Sequence, residues 1–287
     1  MMLRAATRGS PLALWQTNYV IELLQTLGIN AEPVIVSTKG DQDQNSPLHE
    51  IGGQGIFVKE VQQAVLDGRA DFAIHSLKDL PSLTIDELSL AAVPKRGEFR
   101  DALVGCKLDD LPRGGNVATG SVRRKAQLAS LRPDLNFHEL RGNIETRLSK
   151  AKNYDAIVMA SVALKRLNLE PNIVDVLEPD VMIPQVGQGA IGIECLSGNK
   201  DLEATLKQIE DEKSRVLIDT ERTFLKHIGA DCSQPVAGHA TYENGSIRLR
   251  TFLGILEKNL SFFDNRTGLN SELLAQEAAD SLRSHLN

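Results

Sequence analysis

Four side chains with acid, base or hydrogen-bonding chemistry lie within five residues at the end of an apolar run. The run Phe72-Ala73-Ile74 is typical of a strand, and it continues into His75-Ser76-Leu77-Lys78-Asp79-Leu80-Pro81. The proline restricts the residue before it to extended backbone, and ligands of open α/β sheets bind at the carboxyl ends of strands. Because an aspartate is an anion at neutral pH, Asp79 is either a carboxylate that stabilises positive charge in a reaction or one half of a loop salt bridge.

Cationic side chains gather where strands and helices are expected to join, although the net charge of the chain is -6. Arg123 and Arg124 fall in the first turn of a helix that Ser121 would cap. Cations there oppose the helix dipole, so an anion bound at this turn would explain them, since arginine grips carboxylates with two N–H groups. Ion pairs with acidic residues at the surface are the alternative. The other cations at such joints are Arg8, Arg141, Arg147, Lys165 and Arg166.

As a group, these cations favour a cleft for a ligand that carries several carboxylates or phosphates. Phosphate is the less attractive choice, because the sequence contains neither a P-loop pattern nor a dinucleotide fingerprint that opens a helix after a strand. We therefore favour a ligand with carboxylates over one with phosphates.

The three cysteines are an odd number at wide spacing, which is neither a disulfide framework nor a zinc pattern. Cys232 lies in Gly229-Ala230-Asp231-Cys232-Ser233-Gln234-Pro235. A thiolate in an exposed loop can react or serve as an attachment point, whereas the alternative is a structural cysteine. Cys106 and Cys195 end apolar runs and are expected to be structural. The histidines show no metal-ligand spacing, so we expect no metal.

Composition restricts the class of protein. Of the 287 residues, 41% are hydrophobic and 24% charged, which indicates a soluble chain of two or three domains. An aromatic content of 4% and the negative charge argue against a nucleic-acid-binding protein. No apolar run approaches membrane-spanning length, and residues 1–8 lack the apolar core of a signal peptide. We expect a cytoplasmic protein.

Strand and helix patterns alternate in two successive units, which predicts mostly parallel sheets covered on both faces. A late apolar run at 190–193 suggests a strand that returns to the first unit, so the whole would form a hinged clamp. The tail contains a helical stretch at 202–227, a hairpin signal at Asn244-Gly245 and a final helix from Ser271. The first unit has strands at 4–7, 32–37 and 72–75, a helix from Ser10-Pro11 to Gly28 and another at 57–66; the second has strands at 102–104, 117–119, 136–140 and 156–160, with helices that start near Ser121, Ile144 and Val162.

Six motifs in a fixed order resemble the porphobilinogen deaminase family, also called hydroxymethylbilane synthase, over nearly the whole chain. The resemblance implies two periplasmic-binding-protein-like α/β lobes with mixed, mostly parallel sheets and a small α+β C-terminal domain that carries the cofactor. The expected domains are 1–95 with 189–212, then 96–188, then 213–287. The motifs are Ala6-Thr7-Arg8-Gly9-Ser10-Pro11-Leu12-Ala13, the segment from His75 to Pro81, Ser121-Val122-Arg123-Arg124, Leu140-Arg141-Gly142-Asn143, Gln185-Val186-Gly187-Gln188-Gly189-Ala190 and Asp231-Cys232-Ser233-Gln234-Pro235.

The resemblance also implies a transferase of porphyrin and heme biosynthesis. Such an enzyme condenses four porphobilinogen molecules head to tail, with loss of ammonia, into the linear tetrapyrrole hydroxymethylbilane, and the chain grows on a covalent dipyrromethane cofactor. By matching motifs, Asp79 is the catalytic carboxylate and Cys232 forms the thioether to the cofactor. The remaining expected contacts are Lys78, Thr119, Ser121, Arg123, Arg124 and Arg147 to the cofactor, and Arg8, Ser10, Arg141 and Arg166 to the substrate. Porphobilinogen is the expected partner, and the family suggests a monomer.

Two positions depart from the family pattern. The turn before the paired arginines reads Ala118-Thr119-Gly120-Ser121, where the family commonly has Gly-Thr-Ser-Ser, so a hydroxyl is missing at Gly120. Asp231 stands directly before the cysteine, where a glycine is more usual. A different class of function stays open from the residues alone, namely a two-lobed binding protein for an organic anion. Such a protein would need neither Asp79 nor Cys232.

Overall fold

The computed structural model describes residues 2–38, 55, 57–83, 85–229 and 234–286. The chain divides into two compact units. Unit 1 comprises Met1–Gly97 and Gly189–Ile218, and unit 2 comprises Glu98–Gln188 and Asp219–Asn287. The expected separation of the C-terminal region as a third domain, with its boundary near residue 213, stays a prediction.

The described residues form thirteen strands and eight α-helices, with short 3-10 turns between some of them. The strands are β1 Met2–Arg8, β2 Asn30–Val36, β3 Phe72–Ser76, β4 Leu88–Ala92, β5 Asp101–Val104, β6 Asn116–Ala118, β7 Asn136–His138, β8 Ala156–Ala160, β9 Val174–Leu177, β10 Ile191–Leu196, β11 Val236–Glu243, β12 Ser246–Ile255 and β13 Leu260–Gly268. The helices are α1 Pro11–Thr26, α2 Lys59–Leu66, α3 Val122–Leu131, α4 Ile144–Lys150, α5 Ser161–Arg166, α6 Lys200–Lys207, α7 Glu212–Ile228 and α8 Ser271–Arg283.

Unit 1 is built on a five-stranded mixed sheet with the order β2-β1-β3-β10-β4. Strand β1 is parallel to β2 and β3, whereas β10 is antiparallel to β3 and β4. Four of the five strands therefore share one direction, and β10 brings the late apolar run back to this sheet. Its core is formed by small, branched and aromatic side chains such as Ala5, Leu24, Ile193 and Phe72, all fully buried.

Helix α1 begins and ends as the sequence predicts. Ser10 is the N-cap residue and its hydroxyl accepts a hydrogen bond from Ala13 N, and Pro11 occupies the first helical position. Past the last turn, Gly28 has a φ of +76°, a conformation that glycine adopts without steric cost.

Unit 2 contains a second mixed sheet with the order β7-β6-β8-β5-β9. Strand β6 is parallel to β7 and β8, and β5 is antiparallel to β8 and β9, so again four of five strands share one direction. The antiparallel sheet β11-β12-β13 follows, with α8 packed against β12 and β13. The hairpin between β11 and β12 turns at Asn244 and Gly245, with φ values of +50° and +83°. The expected α/β lobes with mixed sheets and the small α+β C-terminal region are confirmed.

The structure differs from the sequence prediction in the tail and at two short strands. The helical stretch predicted at 202–227 is two helices, α6 and α7. Asp211 separates them, because its N–H donates to Val93 O at 3.0 Å and its carboxylate accepts from Ser214 N at 2.8 Å. Strands β4 and β9 were not predicted. No helix of the described residues is long and apolar enough to cross a membrane.

Candidate active site

The expected site residues of unit 1 lie at one edge of its sheet. Strands β1 and β3 are parallel neighbours, with Ala5 opposite Phe72 and Ala6 opposite Ala73. Their carboxyl ends therefore meet at the same edge, which is where ligands bind in open α/β sheets. The residues carried there are Arg8 at the end of β1, Ser10 just after it, and Lys78 and Asp79 after β3.

Asp79 is held in a short 3-10 turn that spans Leu77–Asp79. Leu77 is buried, its N–H donates to Ala190 O at 3.1 Å, and Leu80 N closes the turn onto Leu77 O at 3.2 Å. Leu80 itself is extended, with φ -80° and ψ 124°, as the following proline predicts. The turn itself was not predicted. Because it is fixed at both ends, the half-buried Lys78 and Asp79 side chains start from a defined backbone.

Helix α1 joins the two strands that carry these residues. Gln16 Nε2 donates to Ser76 Oγ at 2.7 Å, and the Thr17 hydroxyl donates to the Thr7 hydroxyl at 2.7 Å inside the core. Arg8 projects over the ring of Phe57, with the guanidinium carbon 4.1 Å from the ring centroid. This cation–π contact orients the Arg8 side chain, and sequence reasoning did not identify Phe57.

A buried polar network lies behind the Asp79 turn. His75 Nε2 is 3.1 Å from Glu194 Oε2, and both side chains are almost fully buried. Gln62 Nε2 donates to the same carboxylate oxygen at 2.8 Å. The network ties α2 and β10 to β3, so it stabilises the strand from which the Asp79 turn begins.

The expected site residues of unit 2 also follow the carboxyl ends of parallel strands. Strands β6, β7 and β8 run in one direction, so the segments after them meet at one edge of the sheet. Thr119, Ser121, Arg123 and Arg124 follow β6, Arg141 and Arg147 follow β7, and Arg166 ends α5 after β8. The segments that carry the unit 2 residues thus begin at a common edge, as those of unit 1 do.

Hydroxyl groups shape the turn between β6 and α3. Thr119 N donates to His138 O at 2.9 Å, which joins this turn to β7. The Thr119 hydroxyl accepts from Ser121 N at 3.2 Å, and the Ser121 hydroxyl accepts from Arg124 N at 3.5 Å. Ser121 is therefore the N-cap of α3, as predicted.

Arg123 and Arg124 are buried and share one carboxylate. Arg123 Nη2 is 2.7 Å from Asp101 Oδ2, Arg124 Nη2 is 2.8 Å from Asp101 Oδ1, and Asp101 is fully buried. Burial alone would raise the pKa of Asp101, but the two guanidiniums and a hydrogen bond from Gln188 lower that pKa to about 2. The arginines are thus not paired at the surface, which was the alternative to a ligand-binding role.

Gln188 completes this cluster. Its carboxamide N–H groups donate to Asp101 Oδ1 at 3.0 Å and to Phe99 O at 2.7 Å. Sequence reasoning quoted Gln188 in a motif without a role and missed Asp101. A signal was present, because Asp101 begins the fully buried strand β5, and a carboxylate on such a strand requires a cation partner.

The loop that carries Arg141 and Arg147 depends on a glycine. Gly142 has a φ of +112°, and a Cβ there would lie 2.5 Å from Thr146 Cγ2. Arg147 Nε donates to Gly142 O at 2.8 Å, and Asn143 caps α4 by accepting from Thr146 N at 2.8 Å. The backbone at Gly142 thereby fixes the direction of Arg147.

Two of the three cysteines lie within the described residues. Cys232 lies outside the described residues, so its expected role as the attachment site stays a prediction. Cys195 is buried, and burial raises the pKa of its thiol, whereas Cys106 is half-buried. Within the described ranges, no group of three or more His, Cys, Asp or Glu side chains could hold a metal ion.

Two family models together match nearly the whole chain. Residues 3–204 match the sequence model described as "Porphobilinogen deaminase, dipyromethane cofactor binding domain", and residues 216–284 match its "C-terminal domain". The porphobilinogen deaminase of Roseiflexus castenholzii is 44% identical over 262 residues, which cover 89% of this chain and 86% of that protein. The porphobilinogen deaminase of Brevibacillus brevis is 39% identical over 287 residues, which cover 97% of this chain and 93% of that protein.

Solved structures give a weaker likeness. A periplasmic substrate-binding protein of an ABC transporter from Coxiella burnetii is 15% identical, covers 72% of this chain and 91% of that chain, and superposes with a TM-score of 0.45. A likeness at that level adds nothing to the assignment. The sequence matches and the motif residues carried on both sheet edges lead to one conclusion: the chain belongs to the porphobilinogen deaminase family, an enzyme family with a dipyrromethane cofactor.

Proposed function

We propose that in this hydroxymethylbilane synthase Asp79 is the catalytic carboxylate for the head-to-tail condensation of four porphobilinogen molecules. The observation that supports this role is the position of Asp79, on a fixed turn at the carboxyl end of β3. The family membership supplies the reaction, and the turn supplies an anion at the sheet edge where α/β proteins bind ligands.

An anion at this place has a defined chemical task. Porphobilinogen that loses ammonia becomes a cationic azafulvene, and the following carbon–carbon bond formation places positive charge on a pyrrole. A carboxylate held in advance beside the pyrrole nitrogens stabilises both cations without reorganisation at the moment of reaction. The same carboxylate can accept and return a proton. Since Asp79 is half-buried, its charge is less screened there than in bulk water.

The neighbouring cations bind the carboxylates of the substrate. Porphobilinogen carries an acetate and a propionate group, and arginine binds a carboxylate with two parallel hydrogen bonds. Arg8 and Ser10 of unit 1, and Arg141 and Arg166 of unit 2, are the residues assigned to this task. The ring of Phe57 beneath Arg8 and the Gly142 turn beside Arg141 hold these segments in place.

The donor groups of unit 2 fit a carboxylated cofactor. Two guanidiniums against the single Asp101 carboxylate leave one positive charge in excess. In addition, Arg123 Nε is buried and has no hydrogen-bond partner among the described residues. A dipyrromethane supplies, when bound, the primer on which the tetrapyrrole grows. The residues that would bind the dipyrromethane are Lys78, Thr119, Ser121, Arg123, Arg124 and Arg147, and Cys232 would attach it covalently.

We further propose that the protein acts as a cytoplasmic monomer on a small molecule and not on nucleic acid. The net charge of -6 and the aromatic content of 4% support the exclusion of nucleic acid. Size-exclusion chromatography with light scattering tests the oligomeric state, and a dimer at micromolar concentration would contradict the proposal.

The catalytic role of Asp79 is tested with Asp79→Asn. The variant should fold, carry the mass of one dipyrromethane above its sequence mass, and lose at least 99% of porphobilinogen turnover, because the amide has the same shape without the charge. The matched control is Asp86→Asn, which changes an exposed carboxylate seven residues later and should turn over normally. Turnover of Asp79→Asn within a factor of three of wild type would refute the catalytic role.

The attachment site is tested by intact mass. Wild-type protein should be heavier than its sequence by one dipyrromethane, and Cys232→Ser should lose that excess, whereas the half-buried Cys106→Ser should keep it. A folded wild-type chain that has no added mass and releases no ammonia from porphobilinogen would favour an organic-anion binding protein over the enzyme.

A further inference from the structure

Asp101 occupies the centre of the arginine cluster of unit 2. Its Oδ2 lies 2.7 Å from Arg123 Nη2, and its Oδ1 lies 2.8 Å from Arg124 Nη2 and 3.0 Å from Arg124 Nε. Gln188 donates a further hydrogen bond to Oδ1 at 3.0 Å. A buried carboxylate is costly unless it is paired and hydrogen-bonded, and here both oxygens of Asp101 contact Arg123, Arg124 or Gln188.

Arg124 is held by protein atoms at every guanidinium nitrogen. Nε and Nη2 contact Asp101, and Nη1 donates to Val158 O at 3.2 Å. Nη2 also approaches Gln188 Oε1 at 3.5 Å. Arg124 is therefore anchored to β5, β8 and the segment before β10, with its planar group in a fixed orientation.

Arg123, in contrast, has one guanidinium nitrogen without a protein partner among the described residues. Nη1 donates to Ile183 O at 2.7 Å. Nη2 lies 2.7 Å from Asp101 Oδ2, whereas the buried Nε has no hydrogen-bond partner in the described part of the chain. Buried donors in this condition are costly unless a partner binds them. The positive charge in excess and the unpaired Nε donor therefore both belong to the arginine pair, and the donor lies on Arg123.

We propose that Asp101 is a positioning residue for the cofactor-binding arginines. It fixes both guanidiniums and cancels one of their two charges, so that the pair presents one net positive charge to a single carboxylate of the dipyrromethane. This inference rests on the proposed function, because the ligand carboxylate belongs to the cofactor. Without Asp101, the two like charges repel each other in a buried site and lose their common anchor.

The test uses Asp101→Asn, which keeps the shape and removes the charge. The matched control is Asp134→Asn, which also breaks an arginine–aspartate pair of unit 2, at 2.8 Å from a partly exposed Arg132. Apo protein from a host blocked in porphobilinogen synthesis is incubated with porphobilinogen, and its mass is followed. Asp101→Asn should gain the dipyrromethane at least tenfold more slowly than wild type, and Asp134→Asn within a factor of two of wild type.

The concentration dependence of loading gives a second readout that a purely structural residue would not change. Because Asp101 positions the cofactor-binding arginines and contacts no reacting atom, the porphobilinogen concentration for half-maximal loading should rise at least fivefold. An Asp101→Asn protein that is folded by circular dichroism and has the loading rate and half-maximal concentration of wild type would overturn the proposal.

A third variant decides the matter if Asp101→Asn yields no folded protein. Asp101→Glu keeps the charge but displaces the carboxylate by one methylene, and it should load the cofactor at least threefold more slowly than wild type. Loading at the wild-type rate by Asp101→Glu would overturn the proposal. No mass gain in the wild-type chain itself would overturn the proposed function, and this inference with it.

Discussion

Gly120 is one of the two positions at which this chain departs from the family pattern, and the structure gives a quantitative expectation for it. A Cβ built there would lie 2.7 Å from Leu140 O and 3.7 Å from the Leu140 carbonyl carbon. The oxygen is a backbone atom and cannot rotate away as a flexible side chain would. A substitution must therefore move the segment that leads into Arg141.

Overpacking of this kind costs about 1 to 3 kcal/mol. We expect Gly120→Ala and Gly120→Ser to lower the free energy of unfolding by that amount, and the melting temperature by roughly 2 to 10 °C. Because the displaced carbonyl precedes Arg141, KM for porphobilinogen should rise in both variants. The serine that the family pattern favours should therefore be harmful in this chain.

Thermal unfolding by circular dichroism and steady-state kinetics measure these effects. The control is Gly268→Ala in β13, where a Cβ would meet its nearest heavy atom, Leu274 Cδ1, at 3.4 Å. That contact is ordinary, so the control should unfold within 1 °C of wild type. A Gly120→Ser protein with unchanged or higher stability and unchanged KM would refute the steric reasoning.

Three further predictions concern charge and packing around the site. The pKa of Asp101 is about 2 in the folded chain and about 3.9 in the unfolded chain. The stability that its charge contributes is therefore present above pH 4 and is lost between pH 4 and 2. It amounts to about 2 kcal/mol, and urea unfolding at pH 5 and 2.5 measures it. Phe57→Ala removes the ring under Arg8 and should raise KM about fivefold, for a contact worth about 1 kcal/mol. Glu194→Gln puts an amide N–H group in place of one buried carboxylate oxygen beside His75 and Gln62, and the mismatched hydrogen-bonding groups should cost about 2 kcal/mol in urea unfolding.

Each of these predictions has its own control. Asp101→Asn should show about 2 kcal/mol less loss of stability on acidification than wild type, and an equal loss would contradict the linkage argument. Phe57→Trp retains a ring under Arg8 and should keep KM near the wild-type value. An equal rise of KM in Phe57→Trp and Phe57→Ala would exclude a role for the cation–π contact. For Glu194→Gln, a stability within 1 kcal/mol of wild type would show that the buried pair contributes little.

Local signals predicted the elements that carry the site. The caps at Ser10 and Ser121, the proline after Leu80 and the hairpin at Asn244-Gly245 each act within a few residues, so the sequence alone specifies them. Consequently the strand-to-helix turns that hold the candidate residues were predicted in the right places, including the turn after β6.

Contacts between distant segments were beyond such reasoning. The break between α6 and α7 depends on a hydrogen bond from Asp211 to Val93, which no local pattern encodes. Likewise, the pairing of Asp101 with Arg123 spans 22 positions and requires β5 to lie beside β8 in the sheet. The sequence predicted an anion at the first turn of α3, and the structure shows that a carboxylate of the protein already lies there.

That carboxylate clarifies how a basic site can be both stable and selective. Two arginines buried without a counter-ion would repel each other and lose their hydration, whereas two arginines with two counter-ions would have no charge left for a ligand. One aspartate shared by Arg123 and Arg124 lies between these limits, because it leaves one positive charge and the unpaired Nε donor of Arg123. In unit 1 the sheet edge instead carries Asp79 beside Lys78. Under the proposed function, the same edge of two similar sheets would serve opposite electrostatic tasks: unit 2 would bind carboxylates, and unit 1 would stabilise the positive charge of the condensation.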